Sequence, residues 1–170
     1  MVWPLPELPM RWEALPCPLD AGWALIRLWD IPKRADNGLS LGGFSAAAYQ
    51  ESDDRLWLVS DASQAYLLPV GPIAKLLRTG GQLQVGPRLV LRDETGTPLP
   101  PSFDAEGLAL TGDHGVWIVS EGRRQAGHQA RLQRFSLRNG RLLETMPLPS
   151  AWTALPGQGL AANQGPESLT

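Results

Sequence analysis

Two stretches of the chain carry the same order of apolar and polar positions. Residues 43–63 read GFSAAAYQESDDRLWLVSDAS and residues 105–123 read AEGLALTGDHGVWIVSEGR. Each holds a run of small and apolar residues, then a polar turn, then an apolar run that ends in serine and an acid. LWLVSD at 56–61 matches VWIVSE at 116–121 type for type. PESLT at 166–170 repeats the opening a third time. Ser45, Glu106 and Glu167 are then equivalent, and 106 − 45 and 167 − 106 both equal 61. A fixed period of this kind marks a repeat architecture. Within each strand-like run Trp57 and Val59, or Trp117 and Val119, share one face, while Leu56 and Leu58, or Val116 and Ile118, share the other. Strands apolar on both faces belong inside a stack of sheets.

The second unit divides into four strand-length runs, EGLAL, GVWIVSE, ARLQRFSL and GRLLETMPL. They are separated by TGDH, GRRQAGHQ and RNG, which are turn chemistry. Asn139-Gly140 is a two-residue hairpin signal. Four antiparallel strands at a fixed period predict an all-β chain of β-propeller-like blades. The period exceeds the ~40–50 residues of a minimal blade, so insertions are expected. One is VGPIAKLLRTGG at 70–81, read as a short helix or an ordered loop. Residues 1–36 form a Pro/Trp-rich segment in which WALIRLWDI, 23–31, predicts an outer strand; residues 37–170 form the repeat domain. A propeller closes with about four to eight blades. The expectation is therefore an incomplete ring, about two blades and the start of a third. Such an arc is a piece of a longer propeller or is completed by a complementing chain.

Composition narrows the function classes. Eighteen Gly and sixteen Pro, 34 of 170 residues, argue against long helices. A net charge of −2 without a dense basic run argues against a nucleic-acid partner. No stretch reaches the ~18 apolar residues of a membrane span, and the first twenty residues lack a basic-then-apolar signal pattern. A soluble chain is expected, cytoplasmic or, in a full-length form, exported. Cys17, the single cysteine, cannot form an internal disulfide.

Nucleophilic serine chemistry finds little support. Gly43-Phe44-Ser45-Ala46-Ala47 lacks the second glycine of a nucleophile elbow, and His114 and His128 read as solvated loop residues. One Cys and two His make no tetrahedral zinc site, and no glycine-rich phosphate loop occurs, so no organic cofactor is expected. Catalytic residues stay unassigned. The acids are more informative. Glu106 and Glu167 open first strands, Asp61 and Glu121 close second strands, and antiparallel pairing sends all four to one rim, with Asp104 beside them. Glu106 and Glu121 are symmetric about 113.5, so a regular hairpin sets them directly opposite. Like charges placed so are destabilising unless a cation, an Arg or a shared proton offsets them. Arg123, Arg124 and Arg131 keep a structural ion-pair reading open. Oxygen ligands alone favour a hard ion, Ca²⁺ or Mg²⁺. Trp57 and Trp117 read as packing residues rather than ligand platforms.

GLSLGGFSAAAY with RLWLVSD, SFDAEGLAL with VWIVSEG, RFSLRNGRLLETMPLP, and NQGPESLT together resemble the phytase-like family, whose members are usually labelled "esterase-like activity of phytase family protein". The likeness runs over about residues 37–170. The Asp104–Ala109 motif is intact, whereas Ala46 and Ala47 stand for Gly-Leu in the first motif and Ser168 for Gly in the last. The resemblance implies the N-terminal part of a β-propeller domain and a calcium-dependent hydrolase of phosphate or carboxylic esters. The expected function is thus a metal-assisted phosphoesterase or esterase acting on a small-molecule ester, with Asp61, Asp104, Glu106, Glu121 and Glu167 holding a divalent cation. The alternative is a non-catalytic propeller serving as a binding or scaffold module.

Overall fold

The computed structural model describes residues 2–8, 25–35, 38–101, 103–122, 128–153, 159–160 and 165–169. Its elements in chain order are β1 (Trp3–Leu5), β2 (Phe44–Gln50), β3 (Arg55–Ser60), β4 (Tyr66–Gly71), α1 (Ile73–Thr79), β5 (Leu83–Val85), β6 (Leu89–Val90), β7 (Ala105–Thr111), β8 (Gly115–Ser120), β9 (Arg131–Ser136) and β10 (Leu142–Met146). They form two antiparallel sheets, neither closed into a barrel. The first runs β1-β5-β4-β3-β2 with β6 beside β4, and the second runs β10-β9-β8-β7. The second is the four-stranded unit that its alternation and turns predict. The first carries two extra strands, because β1 and β6 add to the expected four.

The sheets face one another, with β2 alongside β7. Between them Trp57, Val59 and Leu67 of the first sheet meet Leu108, Val116, Ile118 and Phe135 of the second, and Leu91, Leu99 and Phe103 of the connecting segment fill the gap. Phe103 packs edge-to-face on Phe135 with ring centroids 5.9 Å apart. The far face of the first sheet, with Tyr66, Leu68 and Val70 of β4 and Leu5 of β1, packs with Ala35, Leu41 and Leu76. Strands β3 and β4 are therefore buried on both sides, which is why their apolar residues run without interruption.

The insertion at 70–81 contains helix α1. Asp54, in the left-handed conformation after β2, accepts hydrogen bonds from the Ala74 and Lys75 N–H groups at 2.5 and 3.1 Å, and the helix stops at Gly80 with φ 67°. The strand expected over 23–31 is not formed in its described part, residues 25–31. The edge of β5 is already occupied by β1, and the later segment instead makes isolated contacts. The Leu8 N–H donates to the Leu28 carbonyl at 2.8 Å, Trp29 Nε1 donates to the Gly81 carbonyl at 3.0 Å, and Arg27 pairs with Glu7 at 3.2 Å. Trp12, Cys17 and Trp23 lie outside the described residues.

A short arm, residues 92–98, ties the two sheets together. The Arg92 N–H donates to the Gly140 carbonyl and the Leu142 N–H to the Arg92 carbonyl, both at 2.8 Å. The Arg141 guanidinium reaches back to the Glu94 carbonyl. Gly140, at φ 73°, lets the β9–β10 turn press onto the Val90 carbonyl, where a Cβ would collide. Among the described residues no helix is long and apolar enough to cross a membrane.

Candidate metal centre

The first hairpin of each sheet carries a bulge of the same kind. In the β2–β3 ladder Ala46 faces Val59 and Phe44 faces Ser60, which leaves Ser45 as the extra residue. In the β7–β8 ladder Gly107 faces Val119 and Ala105 faces Ser120, which leaves Glu106 as the extra residue. A bulge bends its strand and re-aims the inserted side chain. Beyond each bulge pairing resumes. The Asp61 N–H donates to the Gly43 carbonyl at 2.8 Å, and the Glu121 N–H to the Asp104 carbonyl at 3.2 Å. The regular hairpin expected from the sequence is thereby corrected, since Glu121 stands opposite Asp104 and not opposite Glu106. Two causes act together. The turn is the three residues Gly112–His114, with His114 at φ 59°, so the hairpin centres on 113; the bulge then shifts the register once more.

Asp61, Asp104 and Glu106 each offer a carboxylate oxygen, and these oxygens lie within 4.8 Å of one another. One acid comes from the end of β3 in the first sheet and two from the start of β7 in the second. Asp61 is exposed and the other two are half-buried. Gly43, at φ 60°, is close enough that a Cβ there would overlap the Asp61 carboxylate. Its neighbour Gly42 is fixed through its carbonyl, which accepts from the Ser60 hydroxyl at 2.6 Å and the Tyr66 hydroxyl at 3.2 Å. The loop that seats Asp61 is thus anchored to the sheet.

The electrostatics centre on Glu106. Burial raises its pKa above the ordinary carboxylate value, repulsion from Asp104 and Glu167 raises it further, a hydrogen bond from the Ser45 hydroxyl opposes the rise, and Glu121 adds to it. Glu121 and Glu167 bear on the site as nearby charges, while the three mutually close carboxylates are Asp61, Asp104 and Glu106. Gly165 lies directly against Glu121, and a Cβ on Gly107 would come within 2.9 Å of the Ser168 and Leu169 backbone; that seats the segment bearing Glu167. Ser45 is the participant that sequence reasoning missed. It was weighed as a nucleophile, whereas its equivalence to Glu106 was the signal that both line one site.

Metal–oxygen bonds of about 2.3–2.6 Å let two ligands on opposite sides of one hard cation stand about 5 Å apart. The separation of the three carboxylates falls within that limit, so together they could hold a metal ion. Among the candidate arginines, Arg123 and Arg124 lie outside the described residues and Arg131 is exposed on β9. His114 is exposed in its turn, and His128 is half-buried. Trp57 is a packing residue, 5% exposed, with its Nε1 donating to Gln50 Oε1 at 2.8 Å and the Arg55 guanidinium 5.9 Å above its ring.

No curated protein and no solved structure matches the chain. A family model described as "Phytase-like: Esterase-like activity of phytase" matches residues 39–170, a span that contains both bulges and every acid of the site. The chain therefore belongs to the phytase-like family.

Proposed function

We propose that the chain forms part of a metal-assisted hydrolase of small phosphoric or carboxylic esters. The observation that carries this reading is the approach of three carboxylates from two different sheets to within the reach of one ion. Bringing like charges together while burying one of them is unfavourable, and a divalent cation reverses the sign of that interaction. Asp61, Asp104 and Glu106 would hold Ca²⁺ or Mg²⁺, and Glu121 and Glu167 would add negative potential around it. When bound, the ion supplies Lewis acidity toward an ester oxygen. The chain's own contribution is positional. The Ser45 hydroxyl orients Glu106, and the Gly42–Gly43 loop holds Asp61 against the second sheet.

The test is turnover of p-nitrophenyl phosphate and of short p-nitrophenyl esters by the protein, in Ca²⁺ and in EDTA. Hydrolysis should depend on the ion, and Glu106→Gln should lower it at least about 10-fold, the scale on which weakened support of a metal ligand is felt. Turnover that is indifferent to EDTA and to the substitution rules the reading out. A second reading, a non-catalytic binding or scaffold module, is favoured by one observation, that Ser45 is bonded to a carboxylate and not to a histidine. It predicts that Ca²⁺ raises the melting temperature while neither substrate class is turned over.

A further inference from the structure

Asp61 is exposed, yet the chain around it is locked by buried groups. The Asp61 N–H donates to the Gly43 carbonyl at 2.8 Å, and the Ala62 N–H donates to the Ser60 hydroxyl at 3.1 Å. That hydroxyl donates in turn to the Gly42 carbonyl at 2.6 Å. Tyr66, 1% exposed and opposite Ser60 in the β3–β4 ladder, completes the network. Its hydroxyl accepts from the Gly42 N–H at 3.0 Å and donates to the Gly42 carbonyl at 3.2 Å. One phenol thus holds both polar groups of the same glycine, and a buried network whose members are all bonded is rigid. The ring is gripped as well. The Arg88 guanidinium stands 4.8 Å from its centroid and donates to the Ser40 carbonyl at 3.1 Å, while Phe44 packs against it edge-to-face at 6.3 Å. Tyr66 and Arg88 together therefore fix Ser40, Gly42 and Phe44. Gly43 and Ser45, interleaved with these, are the residues that meet the Asp61 and Glu106 side chains.

The second sheet supplies the comparison. It keeps the serine turn, with the Gly122 N–H donating to the Ser120 hydroxyl at 3.3 Å, but Arg131 stands opposite Ser120 where the first sheet has Tyr66. Arg131 is exposed. Glu121, which follows Ser120 as Asp61 follows Ser60, lies outside the trio of mutually close carboxylates. The phenol clamp thus accompanies the acid that joins the trio. We propose that Tyr66, backed by Arg88, is a positioning residue of the metal centre, setting its affinity for a divalent cation by holding Asp61 where the cation meets Asp104 and Glu106. The inference rests on the reading of these three acids as a cation site. Without the clamp the exposed carboxylate has to be ordered at the moment of binding, and the entropy lost is subtracted from the affinity.

The experiment is calorimetric titration of Ca²⁺ into the protein and its Tyr66→Phe variant, well below the melting temperature of each so that both stay native. Tyr66→Phe keeps the ring and removes only the hydroxyl, and Kd should rise at least about 10-fold, as loss of a metal ligand's support does. Val70→Ala is the control, because it opens a cavity at the far end of the same strand, opposite Leu56. It should lower the melting temperature and leave Kd unchanged. Should Tyr66→Phe fail to fold, Arg88→Met, at a half-buried position, gives the second reading. Removing a positive charge favours cation binding by charge alone, so weaker Ca²⁺ binding in that variant marks loss of the clamp. A parent-like Kd in Tyr66→Phe, parent-like or tighter binding in Arg88→Met, or an equal loss in Val70→Ala overturns the proposal and leaves the cation site standing. A parent protein that takes up no Ca²⁺ overturns the cation site itself and the proposal with it.

Discussion

Glu106 is a charge held where the fold disfavours it, and its effect on stability has a definite sign. Its folded pKa is raised by burial and by Asp104 and Glu167. Below the pKa of the unfolded chain both states keep the proton, and the fold is unburdened. As pH rises through the folded value the native state must ionise against its surroundings, so stability present in acid is lost toward neutrality. In EDTA, Glu106→Gln should raise the melting temperature at about pH 7 and change it little at about pH 3.5, where the carboxyl is protonated in either state. A shift of the same size at both pH values would contradict this account. Asp113 behaves oppositely. The Thr111 hydroxyl lowers its pKa most, burial opposes, and Arg134 lowers it further, so its contribution fades as the solution is acidified. That Asp61, Asp104 and Glu106 deserved notice was legible from their repeated places before and after strands. Which acids lie closest was not, because that depends on the Glu106 bulge and on the space above Gly43, both properties of the backbone.

At the scale of elements, alternation and turn residues located strands β2, β3 and β7 to β10 well, because each pairs with its neighbour in sequence. The outer strand was misplaced for the converse reason. WALIRLWDI has strand composition, but composition does not say that Trp3–Leu5 has already taken the free edge of β5. Likewise α1 was visible as an interruption, while the acid that caps it, Asp54, lies about twenty residues upstream and only the fold brings it there. The segment 165–169 offers a direct check on element packing. A Cβ on Gly107 would come within 2.9 Å of the Ser168 and Leu169 backbone, so Gly107→Ala should cost about 1–3 kcal/mol and speed amide exchange at Leu169. Gly112→Ala meets nothing within 4 Å and should stay within about 0.5 kcal/mol of the parent. If both variants melt alike, the segment does not rest where described.

In the whole molecule the two sheets share one core, so neither has an apolar interior of its own on that side. Phe135 is fully buried there, and Phe135→Ala should cost about 3–5 kcal/mol. The loss should appear as one earlier transition seen equally by far-ultraviolet dichroism and tryptophan fluorescence. Two separated transitions would mean that the sheets melt independently. The shared core also gives the 92–98 arm a meaning beyond packing. Asp61 belongs to one sheet and the Asp104–Glu106 pair to the other, so the gap between these carboxylates is the opening of a caliper whose jaws are the sheets. The arm, pinned to Gly140 and Leu142, is the backbone tie that joins one jaw to the other.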